Sequence, residues 1–421
     1  MRFPTVAAWL TWQQAAHPLE IDPGLERVGA VWERVGKPLH ATVMTVGGTN
    51  GKGSVTAYLD AILAAAGYET GWLTSPHLVR YNERIRVHGS EVPDADLLAA
   101  FAEIDAARGD ISLTFFEWNT LAAFIVFARA GVDVAILEVG MGGRLDAVNL
   151  LDANAAAVVS VALDHREWLG DTAEAIGYEK AGIFRAGRPA ILGGRQVPRS
   201  VVAHAAAIGA RLKRIGTDFD FVERVDGWDY VGFGSRRREL PLPGLAGSAQ
   251  LGNAAVALAL LEAVEPGLLV PDEAVRAGLA GAWLPGRFQV VPGPPEWILD
   301  VAHNPHAAQS LAASLDSRPC AGRTVAVCGI LGDKDIEGIV AALEGRFSRW
   351  IAVGLDGPRA LPPATLADRI ARAGAASVRA TADVASGLAA ARAEMDPSDR
   401  AVVFGSFLTV GPALEWLGVG Y

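Results

Sequence analysis

The sequence predicts an α/β chain: an N-terminal domain with a parallel sheet of phosphate-loop type, then a smaller Rossmann-like α/β domain. Three observations predict it. The run Thr42-Val43-Met44-Thr45-Val46 stops at Gly47-Gly48-Thr49-Asn50-Gly51-Lys52-Gly53-Ser54, and a helical pattern follows with Val55, Leu59, Ile62 and Leu63 on one face. Further apolar runs alternate with helical patterns, as in a parallel sheet. The pattern restarts after Leu284-Pro285-Gly286-Arg287-Phe288, which places a boundary between residues 1–284 and 285–421.

In chain order, residues 1–40 read as one helix, a short loop at Ala15-Ala16-His17-Pro18, and a second helix after Gly24. His17, in a loop, reads by default as a solvated side chain. A strand over 69–74 ends in Ser75-Pro76-His77, followed by a segment bearing Arg80, Arg84 and Arg86, read equally well as a solvated strand or an anion-facing one. A helix is expected over 94–107. The aromatics Phe115, Phe116 and Trp118 then precede a helix over 121–130, and core packing is their default reading. Residues 132–140 read as a buried parallel strand with Glu138 near its end, and residues 155–163 as another, ending in Asp164-His165. A helix over 172–183 carries Lys180, which as a helical lysine reads as surface decoration. Residues 211–240 are β-rich, and Asn253 sits near the start of an alanine-rich helix as a possible cap. Beyond the boundary, strands are expected at 297–301, 324–328, 350–353 and 401–404, the last running into Gly405-Ser406-Phe407.

Composition narrows the function classes. A chain of 421 residues with 51% hydrophobic content buries ample core. A formal net charge of -10 argues against nucleic acid as the main partner. Cys320 and Cys328 give neither a disulfide framework nor a metal spacing, which reads as a reducing, cytoplasmic setting. The apolar stretch 121–139 is broken by Arg129 and Asp133, so no membrane span is expected.

Glycines at the strand-to-helix turn let backbone approach an anion. The helix N-terminus offers N–H groups, and Lys52 adds a point charge for the outer phosphates. The usual loop places Ser or Thr directly after the lysine to hold magnesium. Here Gly53 stands there and Ser54 comes one later. Magnesium must therefore find ligands elsewhere, and the strand ends supply them: Ser75, Glu138 and His165, with water and phosphate oxygens completing the set.

Several motifs occur in order: Gly48-Thr49-Asn50-Gly51-Lys52-Gly53-Ser54, Thr74-Ser75-Pro76-His77-Leu78, Glu138-Val139-Gly140-Met141-Gly142-Gly143-Arg144-Leu145-Asp146-Ala147, Leu163-Asp164-His165, Glu179-Lys180-Ala181-Gly182-Ile183, Leu284-Pro285-Gly286-Arg287 and Asp300-Val301-Ala302-His303-Asn304-Pro305-His306. Together the chain resembles folylpolyglutamate synthases, within the ATP-dependent amide ligase superfamily that includes the Mur ligases. The resemblance implies that ATP phosphates are held by Thr49, Asn50, Gly51 and Lys52, with Gly53 and Ser54 completing the loop. It implies nucleotide contacts from Asn253, Arg287 and Asp300, and magnesium on Ser75, Glu138 and His165. It also implies that Lys180 is carbamylated and holds a second magnesium, which reverses its reading as surface decoration.

L-Glutamate is implied as the incoming amine, with His303 and Ser406 helping to hold it. Bifunctional bacterial members also use dihydropteroate. By resemblance, Ala15, Ala16, His17 and Pro18, then Thr114, Phe115, Phe116 and Glu117, then Leu145, Asp146 and Ala147 contact the pteroate. The run from Ala107 to Glu117 is of the bifunctional type. The expected reaction is ATP-dependent addition of L-glutamate to dihydropteroate and to reduced folates through an acyl phosphate, by a cytoplasmic monomer. Lys52, Lys180, Arg287 and His303 are the expected catalytic set. A ligase for folates alone, a Mur-type amino-acid ligase and a non-catalytic nucleotide-binding regulator are the competing readings. Gly53 and the absence of an extra N-terminal domain weigh against the second. The presence of Lys52, Ser75, Glu138, His165 and Lys180 weighs against the third.

Overall fold

The structure, a computed structural model, describes residues 2–265 and 267–420. The chain divides into two compact units. The first takes in Met1–Gly244 and Leu251–Ala282, the second Leu245–Gln250 and Trp283–Tyr421. A single cut after residue 284 does not capture this, because the six residues Leu245–Gln250 go with the second unit. Ser248 is fastened there, its N–H donating to Ser314 Oγ at 2.9 Å.

The first unit is built on an eight-stranded sheet of β1 (Thr42–Gly47), β2 (Thr70–Leu73), β3 (Ile85–Val87), β4 (Ser90–Glu91), β5 (Val134–Glu138), β6 (Ala155–Val158), β7 (Pro189–Leu192) and β8 (Arg211–Arg214). Their spatial order is β4-β3-β2-β5-β1-β6-β7-β8. From β2 to β8 the pairing is parallel, and β3 and β4 run antiparallel at one edge. β1 and β5 are buried almost throughout, which is why they read as unbroken apolar runs. The register sets their exits level: Leu73 pairs with Leu137, Val46 with Glu138 and Gly47 with Val158. The residues that follow β2, β5, β1 and β6 are thereby gathered along one end of the sheet.

The helix Lys52–Ala65 is buried around most of its circumference. It packs on the helix Asp272–Gly281 so closely that a Cβ on Gly278 would lie 2.4 Å from Ile62 Cα, so only glycine permits this approach. Near the N-terminus, Trp9, Phe101 and Trp118 interlock, with ring centroids 5.7 Å and 5.8 Å from Trp9. A small antiparallel sheet of β9 (Asp220–Arg224), β10 (Gly227–Val231) and β11 (Arg236–Leu240) closes this unit's strand set.

The second unit carries β12 (Gln289–Val291), β13 (Glu296–Asp300), β14 (Thr324–Cys328), β15 (Arg349–Val353), β16 (Val378–Thr381) and β17 (Arg400–Phe404), ordered β12-β13-β17-β14-β15-β16. All pairs are parallel except β12 with β13. Each unit is therefore α/β and built on a mainly parallel sheet, as expected.

Three local expectations need correction. The helix read at 121–130 begins at Phe115, because Thr114 caps it and Glu117 closes the reciprocal bond to the Thr114 N–H. The strand read to Leu163 stops at Val158. Asn253 is not a helix cap, since it lies inside the helix Gln250–Val264.

Candidate active site

The phosphate loop is fastened to the segment leaving β6. Val159 N–H donates to Gly47 O at 2.9 Å and Thr49 N–H to Ser160 O at 2.8 Å. Thr49 Oγ1 donates to Ala162 O at 3.2 Å and accepts from Ala162 N–H at 3.0 Å, while Ser160 Oγ accepts from Asn50 N–H at 2.9 Å. Thr49 therefore shapes the loop. Gly51 has φ +88, and a Cβ there would lie 2.6 Å from Asn253 Oδ1 and 2.8 Å from Val159 Cγ1. Glycine is thus required twice over, by conformation and by space. The same contact brings Asn253 to the loop. Lys52 opens the helix, and its ammonium bends back to donate to Gly48 O at 3.1 Å and Thr49 O at 3.4 Å. An ammonium folded over a glycine turn at a helix N-terminus fits the phosphates of a nucleotide.

Glu138 ends β5 and is buried, with the Thr74 hydroxyl donating to it. Ser75 is the next residue along that neighbouring chain segment. Glu138 and Ser75 thus come from adjacent strand exits, as expected. His165 does not sit at a strand exit: it lies seven residues past β6, with φ +50, just before the short helix Arg166–Leu169. Among the described residues no three His, Cys, Asp or Glu side chains group as a metal site. The donor set from the sequence has two such residues, Glu138 and His165, and the hydroxyl of Ser75. Hard oxygen donors beside a phosphate loop suit a divalent cation sharing phosphate oxygens.

Lys180 is buried at 4% exposure, in the last turn of the helix Ala173–Ala181, so its reading as surface decoration fails. Sequence alone does not bury it; an interlock of two glycine motifs does. Arg144 N–H donates to Glu179 O at 2.8 Å and its guanidinium pairs with the Glu179 carboxylate at 2.9 Å. Gly143 abuts the carbonyls of Glu179 and Lys180, where a Cβ would lie at 2.9 Å from each. Burial, and then the positive charge of Lys52, bring the Lys180 amine down to about 7, against the opposing pull of Asp164 and Asp146. At neutral pH much of this amine is unprotonated. That is the state that adds CO₂ to form a carbamate, so the residue fits the modification.

Asp146 caps the short turn Ala147–Leu150. It accepts from Met141 N–H at 2.9 Å and Val148 N–H at 3.0 Å, and burial raises its carboxyl to about 6. Leu145 and Ala147 flank it in the chain. Thr114 and Glu117 form the helix cap described above. Phe116 lies against Gly140, where a Cβ would meet its ring at 2.7 Å, and Phe115 stands edge-on to Tyr81 at 5.8 Å.

His17 is not a solvated loop side chain. Its Nδ1 lies 2.9 Å from Ser112 Oγ and its Nε2 3.1 Å from Asp22 Oδ2. Arg27 joins Asp22 at 2.6 Å to the buried Glu117 at 3.2 Å. This network ties the N-terminal segment to the start of the helix Phe115–Ala130. Ala15 is the last residue of the helix Val6–Ala15, and Ala16 and Pro18 flank His17. Ser160, Asp22 and Arg27 escaped the sequence reading, since each is an ordinary polar residue until the fold shows its partner.

In the second unit, Asp300 ends β13 and both its oxygens accept backbone N–H groups, from Phe288 at 2.8 Å and Ala302 at 2.7 Å. Burial raises its pKa, while the nearby Arg287 charge opposes that. The Arg287 guanidinium lies 5.2 Å over the Phe407 ring. His303 Nδ1 lies 2.9 Å from Val301 O, a carbonyl that can only accept, so Nδ1 is the donor of that bond. Ser406 caps the helix Phe407–Leu417, its Oγ accepting from Leu408 N–H at 3.1 Å.

A phosphate loop feeding a parallel sheet, a buried lysine beside it and a second α/β unit define a Mur-type, ATP-dependent ligase. The Mur ligase middle domain family matches residues 46–218, and the Mur ligase glutamate ligase domain family matches residues 286–407. The dihydrofolate synthase/folylpolyglutamate synthase of Escherichia coli K12 is 45% identical over 412 residues, 97% of this chain and 95% of that protein. The structure of E. coli FolC in complex with DHPP and ADP superposes with a TM-score of 0.94, at 45% identity, covering 99% of this chain and 98% of the other. A bifunctional folylpolyglutamate synthase/dihydrofolate synthase with Mn, AMPPNP and L-glutamate bound gives 0.92 at 44% identity, over 99% and 98% of the two chains. The chain belongs to the dihydrofolate synthase/folylpolyglutamate synthase family.

Proposed function

We propose that this chain adds L-glutamate to dihydropteroate and to reduced folates, using ATP and a divalent cation, as a cytoplasmic monomer. The observation that carries the reading is the pairing of near-complete family coverage with an intact set of chemical groups: Lys52 on the loop, Glu138 at the adjacent strand end, and Lys180 buried and near neutrality. No described helix is long and apolar enough to cross a membrane.

A carboxylate is a poor acylating agent, because its leaving group would be oxide. The substrate carboxylate takes the γ-phosphoryl group of ATP and becomes an acyl phosphate, whose leaving group is phosphate. The unprotonated amine of glutamate then attacks the carbonyl and phosphate departs. Thr49, Asn50 and Gly51 shape the loop around the phosphates, with Gly53 and Ser54 in the first helical turn behind them. Lys52 and Arg287 offset charge on the transferring group. Asn253 and Asp300 hold the nucleotide. Ser75, Glu138 and His165 would hold one divalent ion and carbamylated Lys180 a second, and such ions supply positive charge beside the phosphates. His303 and Ser406 hold the incoming glutamate, and His303 takes the amine proton. The pteroyl group rests against Phe115 and Phe116 with Thr114, Glu117, Leu145, Asp146 and Ala147, and against the loop of residues 15–18.

The test is a phosphate-release assay with dihydropteroate, a reduced folate or a UDP-muramoyl peptide, each with and without L-glutamate. Glutamate-dependent release with the two pterin acids supports the reading, and release with the UDP-muramoyl substrate alone overturns it.

A further inference from the structure

Three arginines lie on the segment following Ser75, and two have carboxylate partners. Arg80 and Arg86 both reach Glu91, at 3.7 Å and 3.8 Å, and Arg86 also lies over the Trp72 ring. Arg84 differs. It is buried, with 8% of its surface accessible, and forms no ion pair among the described residues. Among the described residues its side chain makes one hydrogen bond, from Nε to His77 Nδ1 at 2.7 Å. The guanidinium carbon lies 5.6 Å from the Tyr81 ring centroid and 5.4 Å from that of Phe115, so aromatic rings fix its plane. Among the described residues, Nη1 and Nη2 donate to no protein group.

The position is not accidental. Thr74 N–H donates to Arg84 O at 2.9 Å, and Leu73 pairs with Ile85, so Arg84 stands level with the exit of β2. The Glu138 charge is felt at the guanidinium. The nearer acid, Glu83, is committed elsewhere: its oxygens accept the N–H groups of Leu78 at 2.8 Å and Val79 at 2.7 Å. A buried guanidinium with no carboxylate in direct contact is costly to keep. An oriented fork with both Nη groups uncommitted among the described residues matches the two oxygens of a carboxylate.

We propose that Arg84 receives the carboxylate of the pteroyl substrate, the group that is to be activated, through Nη1 and Nη2. This rests on the function proposed above. Arg84 thereby selects pterin acids over neutral analogues and orients the carboxylate beside the strand ends that carry Ser75 and Glu138.

The test compares binding of dihydropteroate and its descarboxy analogue, with hydrogen in place of the carboxyl group, by titration calorimetry with a non-hydrolysable ATP analogue present. Wild-type protein is expected to prefer the acid by about 10- to 100-fold, the span of a charged hydrogen-bonded pair. Arg84→Gln should reduce that preference to about threefold or less by weakening the acid alone, and Arg84→Lys should keep part of it. Binding of the ATP analogue and thermal melting check that each variant is folded, and Arg84→Lys carries the comparison if Arg84→Gln does not fold. Wild-type turnover together with an undiminished preference in the folded variants overturns the assignment of Arg84. Failure of the wild-type protein to glutamylate either dihydropteroate or a reduced folate overturns the proposed function instead.

Discussion

Lys180 concentrates the chemistry at the scale of one residue. Its amine is brought to about 7 by burial and by Lys52, so CO₂ can add to it near neutral pH. Protein equilibrated with ¹³C-bicarbonate at pH 8 should show a carbamate carbon resonance that Lys180→Ala lacks. The resonance should fade as pH falls through about 7, because protonation removes the nucleophilic lone pair. Lys180→Ala should lose about a thousandfold or more in turnover, in the range of other lost charge-stabilising groups, and a small carboxylic acid should restore part of it. Near-normal activity in that variant would eliminate the carbamate. The same shift has a stability consequence in CO₂-free buffer. The folded amine releases its proton near pH 7 and the unfolded one near 10.5, so the unfolded state binds more protons between them. Wild-type stability relative to Lys180→Met should therefore rise with pH over that window, by at most about 1.4 kcal/mol per unit. Denaturant melts at pH 7 and pH 9 measure it.

At the scale of elements, two turns do most of the positioning. Gly51→Ala would push a Cβ into Asn253 and Val159 at a positive φ, so the loop must shift. Its affinity for an ATP analogue should fall by about tenfold or more, from strain of about 1–2 kcal/mol; an unchanged affinity by calorimetry would contradict the loop's role. Thr114→Ala removes the cap of the helix Phe115–Ala130 and should cost about 1 kcal/mol in a denaturant melt. What the sequence made legible follows the same division. The strand, glycine turn and helix at residues 42–65 are local signals, as is a carboxylate closing the buried run that ends at Glu138. The end of β6 was not legible, because Val159, Val161 and Leu163 prolong its apolar run. The ladder nevertheless stops at Val158, since Ser160 and Ala162 bond to the phosphate loop instead. The helix start at Phe115 was hidden behind an aromatic run, although Thr114 and Glu117 spell a capping signature. Lys180 could be reached only by family resemblance, because its burial depends on the distant Gly143-Arg144 segment. His17 needed Asp22 and Ser112 brought to it by folding.

At the scale of the whole molecule, both units share one logic: a mainly parallel sheet that delivers polar residues at strand exits. In the first unit these are Lys52, Ser75 and Glu138; in the second, Asp300 with His303 and Ser406. A single assay joins them: product analysis by mass spectrometry after incubation with ATP, magnesium, L-glutamate and either dihydropteroate or tetrahydrofolate. The account predicts one ADP released per glutamate added, and products heavier than each acid by glutamyl residues. Nucleotide hydrolysis with no glutamylated pterin from either acid would contradict it.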